Sequence, residues 1–236
     1  MSIRVTLSAN AGVAIETGGV RIWVDALHDT QVPGFSTLHD CQLRQLWTAE
    51  AFQSPDAIVC THCHPDHYAP QLTEEACRRW PKARLFLPQR EFAEQELVSG
   101  SAYTAAVGGA ALHFYRLPHE SQSYTDDVPH YGLTITHGAE MILLPGDCAV
   151  ASPALLPLTA QRHFRLALLN FPWVTLRKGR DFIEQHISAD HIIVCHLPFA
   201  EDDTEHFRAA AVSGAARLNC SCMHILDDWL QTITIP

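Results

Sequence analysis

The chain has 236 residues, of which 47% are hydrophobic, and it carries a formal net charge of -10. This length and hydrophobic content suffice for one substantial core, so we predict a single domain over residues 1–236 and exclude a disordered protein. The acidic charge repels phosphate backbones, which argues against a nucleic-acid partner, and the sequence holds no apolar run long enough to cross a membrane.

Short runs with strand character recur from the N-terminus onward. Alternating or β-branched residues between Gly, Pro and Asp predict strands at 3–9, 13–17, 20–27, 56–62, 83–88, 112–117, 131–137, 140–147, 164–172 and 191–198. Patterns typical of helices occur at 71–80, 89–98, 176–187 and 202–218. Because hairpins come first and strand–helix alternation follows, we predict an α/β protein whose mixed sheets are covered by helices.

The N-terminus and the cysteines both bear on the compartment. Residues 1–16 alternate polar and apolar side chains and lack the continuous apolar block of a signal peptide. The eight cysteines are dispersed along the chain, which favours reduced thiols over a disulfide framework. We therefore expect a cytoplasmic protein.

Three of the predicted strands end on a side chain that can bind a metal. The run 56–62 ends at His62, the run 140–147 ends at Asp147, and the apolar part of 191–198 ends at His196. In sheets with helical crossovers, ligand sites gather at the carboxyl ends of strands. The pattern predicts that these distant residues converge.

The stretch THCHPDHY, residues 61–68, concentrates this chemistry further. His62 and His64 are two residues apart, so in extended backbone both side chains point to one side and can grip the same ion. Pro65 favours that extended geometry at His64. Asp66 and His67 follow the turn and can face a second ion. Imidazoles and carboxylates suit zinc, iron or manganese.

The order of these residues resembles a known family. The spacing of His62, His64, Asp66 and His67 matches the HxHxDH signature of the metallo-β-lactamase-fold hydrolases, and the strand-end residues follow in the order of that family. The resemblance implies a four-layer αββα sandwich with two mixed sheets between layers of helices. It also implies two metal sites joined by a bridging carboxylate, with the ligands His62, His64 and His119, then Asp66, His67 and His196, and Asp147 between them.

Some roles remain open at this stage. His130 competes with His119 as the third ligand of the first ion, whereas His113 lies inside a strand-like run and indicates a packing or surface role. Asp25 resembles the family's aspartate that hydrogen-bonds the metal loop, although a strand-end turn former is an equal interpretation. Asn10 stands where related sequences often carry histidine, so no substrate role is transferred to it.

The resemblance implies a hydrolytic function. Two divalent ions about 3.5–4 Å apart can bridge a water and supply hydroxide at neutral pH, and Asp66 would orient this nucleophile or accept its proton. Zinc is the first choice for both ions, with manganese or iron as alternatives because carboxylates suit harder ions. The alternative function is a metal-binding sensor or interaction protein of the same fold without turnover.

The substrate is the least defined part of the prediction. The chain is similar to a compact branch of the family that includes L-ascorbate-6-phosphate lactonase, which implies a lactone, ester or phosphoester of a small metabolite. Two basic segments, 161–165 and 176–180, stand out in the acidic chain. They make Arg177 and Arg180 candidates for binding an anionic substrate, against the alternative of solvated helix ends.

Overall fold

Two mixed β-sheets organise the molecule. The computed structural model describes residues 2–120, 128–220 and 222–236, and within these residues each sheet has seven strands. The first sheet contains β1 (Ile3–Leu7), β2 (Val13–Thr17), β3 (Val20–Val24), β4 (Ala57–Val59), β5 (Arg84–Leu87), β6 (Glu96–Leu97) and β14 (Thr232–Ile235). Its order is β14-β1-β2-β3-β4-β5-β6, antiparallel as far as β3 and parallel from β3 to β6.

The second sheet repeats this half-antiparallel, half-parallel plan. It contains β7 (Ala102–Val107), β8 (Ala110–Arg116), β9 (Tyr131–His137), β10 (Glu140–Leu144), β11 (His163–Asn170), β12 (Ser188–Cys195) and β13 (Met223–Ile225). Strands β7 to β10 are antiparallel, and β10 to β13 are parallel. The parallel strands β4, β10 and β12 therefore deliver their carboxyl ends to the loops that carry the candidate ligands.

Helices cover the outer face of each sheet. They are α1 (Asp40–Leu46), α2 (Pro70–Arg79), α3 (Leu156–Thr159), α4 (Pro172–Thr175), α5 (Arg177–His186) and α6 (Phe207–Ala215). Trp80, next to α2, packs edge-on against Trp23 of β3 with ring centroids 5.0 Å apart. On the other side, Trp173, Ile183 and Ala211 form one apolar cluster with the buried residues of β11 and β12. The predicted αββα sandwich is confirmed.

Burial of apolar side chains explains why the ten predicted strands form. Ile3, Val5, Ile15 and Ile22 are fully buried, as period-2 alternation in the opening meander predicts. In the part of the chain that the structure describes, no helix combines the length and the apolarity needed to span a bilayer.

The prediction of a helix at 89–98 is wrong. The side chain of Gln95 forms hydrogen bonds with the local backbone instead. Its Oε1 accepts from the backbone N–H groups of Glu91 and Phe92, both at 2.7 Å, and its Nε2 donates to the carbonyl of Gln89. Such side-chain bonds compete with helical ones. The segment ends in β6, which pairs with β5 and extends the first sheet. The predictions at 71–80 and 176–187 match α2 and α5 closely, and 202–218 contains the shorter α6.

Candidate metal centre

The first group of ligands comes from both sheets. His62 and His64 follow β4, and His119 follows β8. One ring nitrogen from each lies within 4.8 Å of the other two. His119 is held by a short bridge to the segment after β10, in which the N–H of Glu120 donates to the carbonyl of Asp147 at 2.8 Å. The structure thus brings together the three histidines assigned to the first ion.

The geometry of this group fits a metal ion. His62 Nδ1 lies 3.0 Å from the Thr61 hydroxyl, which leaves its Nε2 facing His119 Nε2 at 3.3 Å. Two nitrogens that bind one tetrahedral zinc ion at about 2.05 Å each are separated by about 3.3 Å. Burial holds the pKa of His62 well below its usual value and lowers the pKa of His119. Both imidazoles are therefore neutral, which is the form that binds metals.

The second group lies directly beside the first. Asp66 and His67 follow the turn at Pro65, and His196 follows β12 in a left-handed conformation, with φ of 62°. Asp66 Oδ2 lies 3.4 Å from His196 Nε2 and 3.7 Å from His67 Nε2. All three side chains are buried. The N–H of His196 donates to the carbonyl of Asn10 at 2.9 Å, which fixes its loop against the first sheet.

Asp147 contacts members of both groups. Its Oδ2 lies 3.3 Å from His67 Nε2 and 3.8 Å from His119 Nε2, and its Oδ1 lies 3.4 Å from His196 Nδ1. Asn170, at the end of β11, donates a short hydrogen bond to Oδ1. The Asp147 carboxylate therefore lies between the two groups, although the metal-competent sets among the described residues do not include it.

The charges of the centre call for a cation. Burial alone would raise the pKa of Asp147, but His196 and His67 hold it well below its usual value, and burial of Asp66 is likewise outweighed by His67 and His196. Burial would lower the pKa of His67, yet Asp147 and Asp66 raise it well above its usual value. The two carboxylates thus favour a positive charge beside them, which a bound divalent ion would also supply.

Asp25 lies behind the metal loop. Its Oδ1 accepts the backbone N–H of Thr61 at 2.7 Å, and its Oδ2 accepts the Thr61 hydroxyl at 2.7 Å. The same Oδ2 lies 3.0 Å from His67 Nδ1. Asp25 also belongs to a metal-competent set with His62 and His67, but its oxygens are already engaged by these donors. The contacts match an outer carboxylate that fixes the tautomer of a ligand histidine.

His130 and His113 occupy different places from His119. His130 is buried behind the first group, with its ring 5.2 Å from the ring of His62, and its Nδ1 lies 3.2 Å from the carbonyl of Leu117. The metal-competent sets among the described residues contain His119 and omit His130. Burial lowers the pKa of His130 to about 4, so the ring is neutral. His113 lies on β8, with its Nδ1 3.1 Å from the Thr104 hydroxyl.

A cavity of about 200 Å³ opens onto the centre. The ligands at its base are His64, Asp66, His119, Asp147 and His196. Its other lining residues are Phe35, Glu120, Gly146, Cys148, Val150, Asn170, Phe171, Pro172 and Trp173. The cavity therefore exposes ligands of both groups to a small molecule.

Arg177 and Arg180 lie apart from this cavity, and the described lining includes neither residue. The side chain of Arg177 is 88% exposed, with Nε 3.6 Å from Asp181 one helical turn away. Arg180 donates to the carbonyls of Val174 and Thr175 at 2.7 and 2.8 Å, so it caps the end of α4. These contacts agree with the alternative interpretation, in which both arginines are solvated side chains at helix ends.

Several site residues were not found from the sequence. Phe35 stacks on the ring of His196, with centroids 4.5 Å apart and planes 10° apart. Asn170 contacts Asp147, and its position at the end of a predicted strand was an available signal. Cys60 and Cys63 form a CxxC spacing inside the metal loop, and the buried thiol of Cys60 donates to the carbonyl of His62 at 2.7 Å.

Among the comparisons with known proteins, only the comparison of three-dimensional structures gives matches. No protein-family model and no curated protein sequence matches the chain. Among solved structures, the metallo hydrolase Igni18 of Ignicoccus hospitalis superposes with a TM-score of 0.65 at 16% identity, covering 100% of this chain and 99% of its own. The metallo-β-lactamase fold protein YhfI of Bacillus subtilis gives 0.62 at 14% identity, covering 100% of both chains. This chain has the metallo-β-lactamase fold.

The metallo-β-lactamase fold supports more than one chemistry. CmlA of Streptomyces venezuelae, a diiron β-hydroxylase, superposes with a TM-score of 0.65 at 14% identity over 99% of this chain. The match covers 54% of the CmlA chain, so this chain spans about half of that protein. The resemblance drawn from the HxHxDH motif is confirmed for the fold, while the reaction has to be argued from the site.

Proposed function

We propose that this protein is a metal-dependent hydrolase that holds two divalent ions and acts on a small molecule. The position of Asp147 carries the proposal, because its carboxylate contacts His119 of the first group and His67 and His196 of the second. In this assignment His62, His64 and His119 bind one ion, Asp66, His67 and His196 bind the other, and Asp147 is shared. Zinc is the first choice for a histidine-rich site, and manganese or iron suits the carboxylates.

The chain itself supplies orientation and proton transfer. When bound, divalent ions polarise a carbonyl or phosphoryl oxygen and lower the pKa of a coordinated water. His67 and His196 outweigh the effect of burial and hold the pKa of Asp66 below its usual value, and bound cations would act in the same direction, so its carboxylate can orient an attacking water or accept its proton. Asn170 and Asp25 keep Asp147 and His67 in place. The apolar lining limits the access of bulk water.

The proposed substrates are lactones, esters or phosphoesters of small metabolites. Ligand pockets for drug-sized molecules usually measure about 300–1,000 Å³, whereas this cavity measures about 200 Å³. Its size therefore supports a metabolite rather than a polymer. We also propose a cytoplasmic location, which the free state of the eight cysteines supports.

Metal analysis of ligand variants tests the two-ion assignment. We expect the purified wild type to retain two ions per chain, and His64→Ala and His196→Ala to retain about one ion fewer each, because each change removes a ligand from a different group. His113→Ala is the matched control, since His113 lies on β8 beside Thr104 and outside both groups. Full occupancy in both ligand variants would contradict the assignment.

Turnover assays test the hydrolytic function. The metal-loaded protein should cleave at least one class among 4-nitrophenyl esters, lactones and phosphodiesters, and a chelator should abolish that activity. Re-addition of the metal should restore it, which separates metal loss from unfolding. Full metal content without turnover in any class would instead favour a metal-binding sensor or interaction protein.

A further inference from the structure

The wall of the cavity beyond the ligands is aromatic and aliphatic. Phe35, Val150, Phe171 and Trp173 line it. Phe171 stacks on Phe207, the first residue of α6, with ring centroids 4.7 Å apart. Phe35 also packs on Phe207, with ring centroids 6.3 Å apart. A continuous aromatic surface therefore leads from α6 to the ring of His196.

The loop that carries Phe35 is fixed. The side chain of Asn10 is fully buried and makes two hydrogen bonds to the backbone of Ser36, donating to its carbonyl at 2.8 Å and accepting its N–H at 3.0 Å. The hydroxyl of Ser36 accepts the N–H of Phe199 at 2.8 Å. Phe35 is thus held against His196 by its neighbours in the chain, which makes the aromatic wall a preformed surface.

The charged side chains of the described lining, apart from the histidines, are carboxylates. They belong to Asp66, Asp147 and Glu120. Glu120 accepts a short hydrogen bond from the N–H of Val150, and its Oε1 lies 3.4 Å from Lys178 Nζ on α5. The described lining includes no lysine or arginine.

Among the described lining residues, an anionic substrate tail finds no lysine or arginine side chain to bind it. Carboxylates and phosphates are usually gripped by arginine or lysine side chains, and an unpaired charge among apolar groups is costly. An apolar group instead gains free energy from contact with the rings. Phosphoryl transfer adds a further demand, because the oxygens of the transferred group are usually clamped by cationic side chains as well as by ions.

We infer that the site takes a small uncharged carboxylic ester or lactone whose apolar acyl part lies against Phe35, Phe171 and Val150. This inference rests on the proposed hydrolytic function and deepens it by naming the substrate class. It departs from the anionic substrate that the two basic segments suggested. Lys178 does not offset this selection within the described lining, because its ammonium group lies 3.4 Å from the Glu120 carboxylate and is paired with it.

A matched pair of esters tests the charge preference. 4-Nitrophenyl pentanoate and mono-4-nitrophenyl glutarate differ in one methyl group that a carboxylate replaces. With the zinc-loaded protein, we expect kcat/KM for the pentanoate to exceed that for the glutarate by at least about tenfold, because the added charge is unpaired among the rings. Bis(4-nitrophenyl) phosphate should be cleaved less efficiently than the pentanoate.

Variants at Phe171 test whether the preference for the uncharged ester arises at the apolar wall of the cavity. Phe171→Arg should reduce the ratio of pentanoate to glutarate activity several-fold, because it places a cation on the apolar wall. Leu176→Arg is the matched control, since Leu176 is 41% exposed and lies outside the lining, and its ratio should equal that of the wild type. Phe171→Ala provides a second variant, which should lower the preference for the pentanoate over the acetate ester.

Binding without turnover gives an independent measurement. Calorimetric titration of the zinc-loaded protein should show tighter binding of N-phenylpentanamide than of glutaranilic acid, its counterpart with a terminal carboxylate. Equal cleavage of the two esters, or preferred cleavage of the phosphodiester, would overturn the inference and leave the hydrolytic proposal intact. Failure to cleave any ester, lactone or phosphodiester at full metal content would overturn both.

Discussion

Replacement of Asp25 by asparagine separates the electrostatic role of this residue from its shape. Asp25 has φ of 51°, a left-handed conformation that asparagine also adopts readily, so the backbone is not strained further. The carboxylate accepts three hydrogen bonds, two from Thr61 and one from His67. In Asp25→Asn, the amide nitrogen that replaces Oδ2 cannot accept the proton of His67 Nδ1.

Asp25→Asn also affects Nε2, the other nitrogen of the His67 ring. To keep its hydrogen bond, His67 must move its proton to Nε2, which faces Asp147 at 3.3 Å and cannot bind a metal when protonated. Loss of such an outer partner typically lowers metal affinity about 10–100-fold, equivalent to about 1.4–2.7 kcal/mol. If the proton stays on Nδ1, the buried donor is unsatisfied and the free energy of unfolding falls by about 1–3 kcal/mol.

The assay is competition for zinc with a chromophoric chelator, together with urea unfolding of the metal-free protein. Asp56→Asn is the control, because the Asp56 carboxylate also accepts a backbone N–H, that of Arg21, but on the exposed surface. Unchanged zinc affinity and unchanged stability in Asp25→Asn would refute the role assigned to this carboxylate.

Three further predictions concern stability. Asn10→Ala should lower the free energy of unfolding by about 1–3 kcal/mol for each of the two buried backbone groups of Ser36 that it leaves unsatisfied, as urea titration can measure. Gly214→Ala should lower the melting temperature, because a Cβ there would lie 2.3 Å from the carbonyl oxygen of Val174. Burial lowers the pKa of His28 from 6.5 to about 4, so the unfolded chain takes up a proton first and stability should fall as pH drops from 6.5 towards 4. Urea unfolding of the metal-free protein at pH 7 and pH 5 checks this, and His28→Gln should reduce the difference without abolishing it, because the lowered pKa values of His62, His119 and His130 act in the same direction.

The sequence allowed ten of the fourteen described strands and the candidate ligands to be predicted because both signals are local, whereas β6, β7, β13 and β14 were missed. His196 follows an apolar run directly, His62 follows one after one residue and Asp147 follows one after two residues, so their convergence required only the rule for the carboxyl ends of strands. His119 was ambiguous because three histidines lie within 18 residues, and the choice among them depends on how the segment after β8 pairs with the segment after β10.

Other features depend on contacts that are distant in sequence. Phe35 meets His196 across the fold, and its own segment has no periodic pattern. The segment 89–98 has a helical composition, yet the hydrogen bonds of Gln95 and pairing with β5 override it. Arg180 was a candidate for binding a substrate, and one terminal nitrogen of its guanidinium donates to two carbonyls at the end of α4, a contact that its sequence position does not reveal. The cavity is formed by such non-local contacts. The proposed substrate class could therefore be inferred only from the structure.

The ligands are divided between the two sheets. His62, His64, Asp66 and His67 belong to the half built on β1–β6, whereas the remaining ligands His119, Asp147 and His196 belong to the half built on β7–β13. In the proposed assignment, an ion held by ligands from both halves would act as a cross-link between the two sheets. Metal occupancy of the centre and the cooperativity of unfolding would then be linked. Binding of metal should slow the exchange of backbone amide hydrogens at the ends of β4, β10 and β12 together. The supply of metal would then govern the stability of the contact between the two halves of the molecule as well as the proposed hydrolytic activity.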